Sequence, residues 1–294
     1  MRKRQKNNKE NKRAERISSR VFLLNDMQFI EKFLEKLRDK AAEHGYACDG
    51  CGAEIFNYPH TRLCEDCENA MRKNDKLRCD KCGRRTLSKG VCLTCKQDMP
   101  TFTQGFTPFV YRAETASLIN RMKNGTPRLA YYFAERMAEC FAHGYAERMQ
   151  AYEGDRYELN EETRLKDEEG FLIIPVPLTN AKKRERGYNQ SAELARAVAR
   201  SLTKLGVKAE MADDVLQKRR ETKQQKQSGY RARKENVEGA YHVHKRKACK
   251  ERKIILIDDI MTTGATASEC ASRLLGAGAK EVYTLTAAAL PELQ

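Results

Sequence analysis

The stretch KIILIDDIMTTGATASEC, residues 253–270, decides the fold that we expect for this chain. Its apolar run, Ile254–Ile257, predicts a buried β-strand. Two adjacent carboxylates, Asp258 and Asp259, end the run, and a Thr-Thr-Gly-Ala-Thr turn leads into a helix predicted from about 266 to 275. In an open α/β sheet, ligands bind at the carboxyl ends of strands. The charges and small residues at this point therefore indicate a ligand site.

The segments on either side extend the strand–helix pattern. The apolar run FLIIPVP, residues 171–177, precedes a helix predicted over about 191–205, and EVYTLTAAAL, residues 281–290, predicts a further strand. Alternating strands and helices are typical of parallel sheets with right-handed crossovers. We therefore predict an α/β fold in which helices flank a parallel sheet.

The loop after the central strand has the chemistry of a phosphate cradle. Its small side chains let a phosphate approach the backbone N–H groups, and the following helix N-terminus favours negative charge. The two carboxylates could accept hydrogen bonds from sugar hydroxyls or help to hold Mg²⁺. Together these parts predict a site for a ribose 5-phosphate. The phosphate-binding residues expected in the loop are Thr262, Thr263, Gly264, Ala265 and Thr266.

Eight of the eleven cysteines form four C-x-x-C pairs within about fifty residues. Two such pairs can supply the four thiolates of a tetrahedral metal site, and a closed four-thiolate site is structural. Zinc, as one or two ions, is the expected metal. An iron–sulfur cluster, redox-active dithiols and crossed pairing of the motifs remain open alternatives. The predicted ligands are Cys48, Cys51, Cys64, Cys67, Cys79, Cys82, Cys92 and Cys95.

The composition points to a polyanionic partner in a reducing compartment. The net charge is +15, which suits nucleic acid, an anionic membrane or a phosphorylated ligand, although solubility alone is an alternative explanation. No apolar run approaches the roughly 18–20 residues of a membrane span, and no secretory signal is evident. We therefore expect a cytoplasmic protein that is not itself transmembrane.

Four regions are expected along the chain. Residues 1–20 predict a disordered basic tail, and 21–45 an amphipathic helix. The double zinc ribbon is expected over 46–98 and the α/β domain over 99–294. An acidic stretch near 153–169 is predicted to be a surface insertion.

Two resemblances sharpen these expectations. IILIDDIMTTGAT resembles the phosphoribosyl-pyrophosphate (PRPP) motif of type I phosphoribosyltransferases. PVPLTNAKKRERGYNQSAELARAVA, TKQQKQSGYRARKENVEGAY and the paired cysteine motifs resemble the ComF family, the competence protein FC and GntX-like proteins. The resemblance covers about 46–290. It implies a zinc module joined to a type I phosphoribosyltransferase-like domain and, for many relatives, a role in natural transformation.

The resemblance also implies roles for particular residues. Arg184, Arg186 and Gly187 match the pyrophosphate loop, while Asp258 and Asp259 take the catalytic position on the ribose hydroxyls. Lys123 matches a lysine that could contact phosphate in relatives. A basic, glutamine-rich segment near 217–238 departs from the common pattern at Gln224 and at Ser228–Tyr230. The nucleic-acid-binding residues predicted in it are Arg219, Arg220, Lys223, Arg231 and Arg233.

Three kinds of function follow. The first is a ComF-like protein that binds PRPP with magnesium and single-stranded DNA, with Tyr188, Tyr230 and Tyr241 as stacking rings, and that acts in DNA uptake at the inner face of the membrane. A competence helicase or the uptake machinery is its expected partner. The second is an active phosphoribosyltransferase of nucleotide metabolism that releases pyrophosphate. The third is a purely structural adaptor.

Overall fold

The structure is a computed structural model that describes residues 46–56, 61–153, 169–220 and 235–292. The chain divides into two compact units, residues 1–64 and 65–294. The described part of the first unit contains a short antiparallel pair, β1 (Tyr46–Ala47) and β2 (Glu54–Ile55). The predicted basic tail, the amphipathic helix and most of the acidic insertion lie outside the described residues.

The second unit is built on a parallel sheet. Its strand order is β3-β10-β9-β5-β6, with β4 also paired to β10, and every pairing is parallel. A separate antiparallel pair consists of β7 and β8. The strands are β3 (Gln104–Phe106), β4 (Phe109–Val110), β5 (Phe171–Pro175), β6 (Ala209–Met211), β7 (Leu216–Lys218), β8 (Tyr241–Val243), β9 (Lys253–Met261) and β10 (Glu281–Ala289).

Eight helices lie in the described part of this unit. They are α1 (Glu65–Ala70), α2 (Leu93–Gln97), α3 (Ala113–Lys123), α4 (Leu129–Glu153), α5 (Asn180–Arg186), α6 (Gln190–Lys204), α7 (Arg246–Cys249) and α8 (Ala265–Leu275). The predicted parallel sheet flanked by helices is therefore confirmed. No helix among the described residues is both long and apolar enough to cross a membrane.

Helices cover both faces of the sheet, which explains its nearly continuous apolar strands. All five residues of β5 are buried, and alternate side chains of a strand point to opposite faces. Phe171 packs edge-to-face on Phe141 of α4, with ring centroids 5.2 Å apart. Its neighbour Leu172 belongs to a different cluster, which includes Leu274 of α8. Both faces of the central strands are therefore buried in the core.

The second pair of cysteine motifs is packed against the edge strand β3. The Gly105 N–H donates to the Lys81 carbonyl at 2.8 Å, and a Cβ on Gly83 would lie 2.3 Å from the Gly105 carbonyl oxygen. Only glycine allows such a close approach of two backbones. Asn74 closes the contact by donating to the carbonyls of Gly83 and Thr107 at 2.8 and 3.0 Å. This cysteine cluster is part of the second unit's core.

One boundary differs from the sequence prediction. Strand β9 continues to Met261 and pairs with β10 through Ala289, so Asp258 and Asp259 lie inside the strand rather than after it. Helix α8 begins at Ala265, one residue before the predicted start. The apolar run alone could not show this, because backbone pairing with β10 extends the strand beyond its apolar residues.

Candidate functional site

The acid pair lies near the carboxyl edge of the sheet, held from both sides. The Ser191 hydroxyl at the start of α6 donates to Asp258 Oδ1 at 3.0 Å, and the backbone N–H of Asp259 donates to the same oxygen at 2.9 Å. Asp259 is buried and forms an ion pair with Lys123, with Nζ and Oδ2 2.7 Å apart. Residues from α3, α6 and β9 therefore meet at one place.

A chain of hydrogen bonds joins the acid pair to the predicted pyrophosphate loop. Gln190 donates to Asp259 Oδ2 at 3.4 Å and accepts from Arg186 at 3.0 Å. Both contacts use one side-chain amide at the N-terminus of α6. The loop and the acids are thus linked through the side chain of Gln190.

The two carboxylates differ in their surroundings. Burial, followed by the charge of Asp259, raises the pKa of Asp258 to about 7 from its ordinary value of 3.8. The hydrogen bonds from the Asp259 N–H and Ser191 and the charge of Lys123 oppose this rise without cancelling it. Asp258 can therefore exchange a proton near neutral pH.

The threonine loop presents backbone groups at the same edge of the sheet. Gly264 adopts the left-handed conformation, with φ of 84°, and its carbonyl accepts the Ser268 N–H at 2.8 Å. Thr263 Oγ1 accepts the Ala265 N–H at 3.4 Å, while Thr262 is exposed. Ala265 is buried and Thr266 half-buried. The first N–H groups of a helix have no partner within it, so α8 offers donors to an anion.

The predicted pyrophosphate residues end the short helix α5. Thr179 caps its start by accepting the Lys182 N–H at 3.3 Å, and Gly187 ends it in the left-handed conformation with φ of 78°. Arg184 is exposed, and Arg186 is half-buried against Gln190. Tyr188 donates its hydroxyl to the Met122 carbonyl, next to Lys123. This bond fixes the end of α3 beside the loop.

The predicted nucleic-acid residues are only partly described. Arg219 and Arg220 are exposed at the end of β7, and Arg220 donates to the Glu238 carbonyl at 2.6 Å. Lys223, Arg231 and Arg233 lie outside the described residues, as does Tyr230. Tyr241 is only 4% exposed and packs in the core, so its predicted role as a stacking ring is wrong.

Both cysteine tetrads have the donor set of a zinc site. In each tetrad the four Sγ atoms lie within 4.8 Å of one another. In the first, Cys51 and Cys64 Sγ are 3.6 Å apart, and in the second Cys82 and Cys92 Sγ are 3.8 Å apart. A tetrahedron with Zn–S bonds of about 2.3 Å has edges of roughly 3.8 Å. The sulfurs of both tetrads could therefore bind zinc, with no ligand position left open for catalysis.

Local hydrogen bonds favour the thiolate form of Cys48 in the first tetrad and of Cys79 in the second. Burial opposes ionisation of Cys48, but N–H groups of Cys64, Cys51 and Gly50 outweigh it and lower its pKa to about 7. In the second tetrad, hydrogen bonds from the thiols of Cys82, Cys92 and Cys95 lower the pKa of Cys79 far below its ordinary value. Hydrogen bonds with neighbouring cysteines and burial raise the pKa of Cys82 and Cys95 instead. Metal binding requires thiolates, so each tetrad has at least one sulfur prepared for a cation.

The sequence reasoning missed two of these partners. Ser191 holds Asp258, and its only signal was its place next to Gln190 at the predicted start of a helix. Buried Arg84 donates its Nε–H to Cys82 Sγ at 3.2 Å, which places a cation beside four sulfurs. Lys123, expected to contact phosphate, forms an ion pair with Asp259 in this structure.

Comparison with known families defines the class of the second unit. The family model described as "Phosphoribosyl transferase domain" matches residues 189–293. This range contains Gln190, Ser191, the acid pair and the threonine loop. Together with the sheet order, the match shows a phosphoribosyltransferase-type domain.

Longer similarities narrow the class, and they confirm the resemblance to the ComF family. The chain is 28% identical over 229 residues to "DNA utilization protein YhgH" of Escherichia coli K12, covering 77% of this chain and 90% of the relative. It is 25% identical over 224 residues to "Competence protein ComFC" of Bacillus subtilis, covering 75% and 80%. A second ComFC, from Streptococcus pneumoniae, is 25% identical over 228 residues, covering 76% and 86%.

One solved structure is also similar in part. A hypoxanthine-guanine phosphoribosyltransferase from Schistosoma mansoni, in complex with IMP, is 14% identical and superposes with a TM-score of 0.26. The match covers 54% of this chain and 55% of that one. At this score the superposition adds nothing to the fold assignment, which rests on the family model and the sheet.

Proposed function

We propose that this protein binds PRPP with Mg²⁺ at the acid pair and threonine loop, binds single-stranded DNA, and acts in DNA uptake during natural transformation. The observation that carries the proposal is the network at the sheet edge. It joins Arg186, Gln190, Asp259 and Lys123 within hydrogen-bonding distances, and Ser191 holds Asp258 beside it. Relatives named for DNA utilisation and competence support the DNA role.

Each part of the site has a matching group on PRPP. The loop Thr262–Thr266 would receive the 5-phosphate through N–H groups and hydroxyls. Asp258 and Asp259 would accept the ribose hydroxyls, and Arg184 and Arg186 would pair with the pyrophosphate oxygens. Carboxylate and phosphate oxygens are the ligands that Mg²⁺ prefers, so the acid pair fits a magnesium-bound diphosphate.

The proposed function also implies a role for the cysteine tetrads and a location for the protein. The zinc-binding tetrads would be structural, since four thiolates close a site. The protein would act in the cytoplasm, at the membrane where a competence helicase or the uptake machinery hands over the strand. Arg219 and Arg220, with Lys223, Arg231 and Arg233, would then contribute to holding phosphates of that strand.

A second function is favoured by the surroundings of Asp258, whose carboxyl group is buried beside the charge of Asp259. Asp258, with a pKa of about 7, can take up and release a proton at neutral pH, as a general acid or base must. On this account the protein is an active phosphoribosyltransferase of nucleotide metabolism. The carboxylates would stabilise the positive charge that develops on the ribose in the transition state. The arginines would bind the departing pyrophosphate.

Calorimetric titration of the zinc-loaded protein with PRPP and MgCl₂, with pyrophosphate release followed in parallel, tests both functions. Each titration is run with and without a single-stranded oligonucleotide. The proposal predicts PRPP binding without sustained release, and oligonucleotide binding that weakens with salt. Steady release on addition of a nucleobase would replace it with the enzymatic function. Absence of PRPP binding would contradict both.

A further inference from the structure

Three arginines line a cavity at the carboxyl edge of the same sheet, apart from the acid pair. The cavity has a volume of about 210 Å³, and its wall includes Arg72, Arg85 and Arg112. Glu292 is the one carboxylate in this wall, and its Oε1 already accepts the Leu93 N–H at 2.6 Å. Among the described residues, none of the three guanidinium groups forms an ion pair. The cavity therefore carries an excess of positive charge.

The backbone around each arginine is fixed by contacts that do not use its side chain. The Val110 N–H donates to the Arg72 carbonyl at 2.8 Å, and the Glu292 N–H donates to the Arg85 carbonyl at 2.9 Å. Arg112 follows β4 directly, where the Tyr111 N–H donates to the Ala289 carbonyl at 2.8 Å. The backbone positions from which the three side chains extend are thus held in place relative to one another.

The size of the cavity selects the part of the ligand that enters it. Pockets that enclose small molecules have volumes of about 300–1,000 Å³. A cavity of about 210 Å³ is smaller, so it fits a phosphate group rather than a whole nucleotide. Guanidinium groups bind phosphate oxygens through paired N–H donors. Leu87, which is 64% exposed, adds an apolar surface at the rim.

Helix α3 connects this cavity to the acid pair. Arg112 directly precedes its first residue, and Lys123, its last residue, pairs with Asp259. Eleven helical residues span about 16 Å at a rise of 1.5 Å each. The arginine cavity and the cationic end of α3 at Lys123 thus lie along one edge of the sheet, at a separation that an extended strand with several phosphates can span.

We propose that Arg72, Arg85 and Arg112 form a pocket for a backbone phosphate of a single-stranded nucleic acid that lies along the carboxyl edge of the sheet. This inference rests on the proposed DNA-binding role and assigns it a site. It does not depend on PRPP, because none of the three arginines contacts the acid pair in the described structure.

The test compares two pairs of charge removals in the full-length, zinc-loaded protein. The pocket variant is R72A/R112A, which alters two exposed side chains. The control is R200A/K204A, which removes the same charge from exposed residues that form no ion pair within the described part of the chain. They lie toward the end of α6, at the amino edge of the sheet. Anisotropy of a labelled oligo-dT strand is measured from low to high salt, after circular dichroism and Tm confirm folding.

We expect R72A/R112A to bind the strand about tenfold more weakly than wild type at low salt, with the control changing less than about threefold. The slope of log K against log salt should fall by about 1.4, because each lost contact to a single strand removes about 0.7. The single variants R72A and R112A should each give about half of this change, and they keep the test decisive if the double variant does not fold.

Several outcomes would overturn the inference. Equal losses in the two double variants, or no strand binding by the wild type, would do so. If inorganic phosphate stabilises the wild type but not R72A/R112A, and the pocket variant binds the strand no more weakly than the control does, the pocket is a site for free anions instead. Mg²⁺–PRPP titration separates the two proposals. If only the pocket variant loses strand binding and the wild type does not bind PRPP, the pocket inference is supported and the PRPP assignment is contradicted.

Discussion

The second cysteine tetrad and the acid pair at the sheet edge both bring together residues that are distant in sequence, but they differ in their exposure to solvent. Cys79, Cys82, Cys92 and Cys95 are each at most 3% exposed and share a core cluster with α8. At the sheet edge, Thr262 and Arg184 are exposed, and Asp258 is partly exposed. The first region is closed on all sides, and the second opens to solvent.

This difference separates the two kinds of function. Four sulfurs that face one another can satisfy a cation completely, so a tetrad that binds zinc would add stability and leave no position for a substrate. The sheet edge instead holds groups that are linked to each other but still have donors and acceptors to offer. Changes in the tetrad should therefore alter folding, and changes at the edge should alter ligand binding.

The largest expected effect comes from removing one sulfur of the second tetrad. C79S should lower the free energy of unfolding by several kcal/mol, because structural zinc contributes about 10–16 kcal/mol of apparent binding energy in small domains. Thermal unfolding with and without a zinc chelator measures this. C140S, the same chemical change at a cysteine outside both tetrads, is the control. Equal stability of the two variants would mean that the tetrad holds no structural metal.

A smaller effect tests how the tetrad is locked to the sheet. Gly83 and Gly90 both have positive φ, 72° and 97°, but a Cβ on Gly83 meets the Gly105 carbonyl and one on Gly90 meets nothing within 4 Å. G90A should therefore cost about 1 kcal/mol for its backbone conformation alone. G83A should cost about 1–3 kcal/mol more because of the clash. Denaturant unfolding of both variants gives the difference, and similar values would contradict the close packing on β3.

The smallest expected effect concerns the pH dependence that Asp258 contributes. Its pKa is raised in the folded state, so its contribution to stability is complete below about pH 4 and is lost as the pH rises through about 7. Between pH 5.5 and 8 wild type should lose about 2 kcal/mol relative to D258N, which cannot ionise there. Urea unfolding at several pH values checks this, and parallel pH profiles for the two proteins would refute the raised pKa.

Much of the fold was accessible from the sequence because its central strands contain long runs of mostly apolar residues. FLIIP and EVYTLTAAA predict buried strands, and the structure has β5 and β10 there. The packing of the second cysteine cluster on β3 was not accessible. It depends on the meeting of Gly83 and Gly105, whose approach leaves no periodic signal.

The candidate site shows the same division. The acid pair and the threonine loop are consecutive in sequence, so their proximity could be predicted. The ion pair of Lys123 with Asp259 joins residues that are 136 positions apart, and only the crossing of α3 over the sheet edge brings them together. The arginine pocket had no signal at all, because its residues come from three separate segments.

The affinity for Mg²⁺–PRPP of wild type, D258N/D259N and E281Q tests the central claim most directly. Glu281 begins β10 at the amino edge, opposite the acid pair, so E281Q controls for the loss of a carboxylate. We predict that wild type and E281Q bind alike, whereas D258N/D259N binds at least about 100-fold more weakly and stays folded, since each lost charged hydrogen bond costs about 1.5–3 kcal/mol. Equal binding by all three proteins would contradict the assignment of the sheet edge as a phosphoribosyl site.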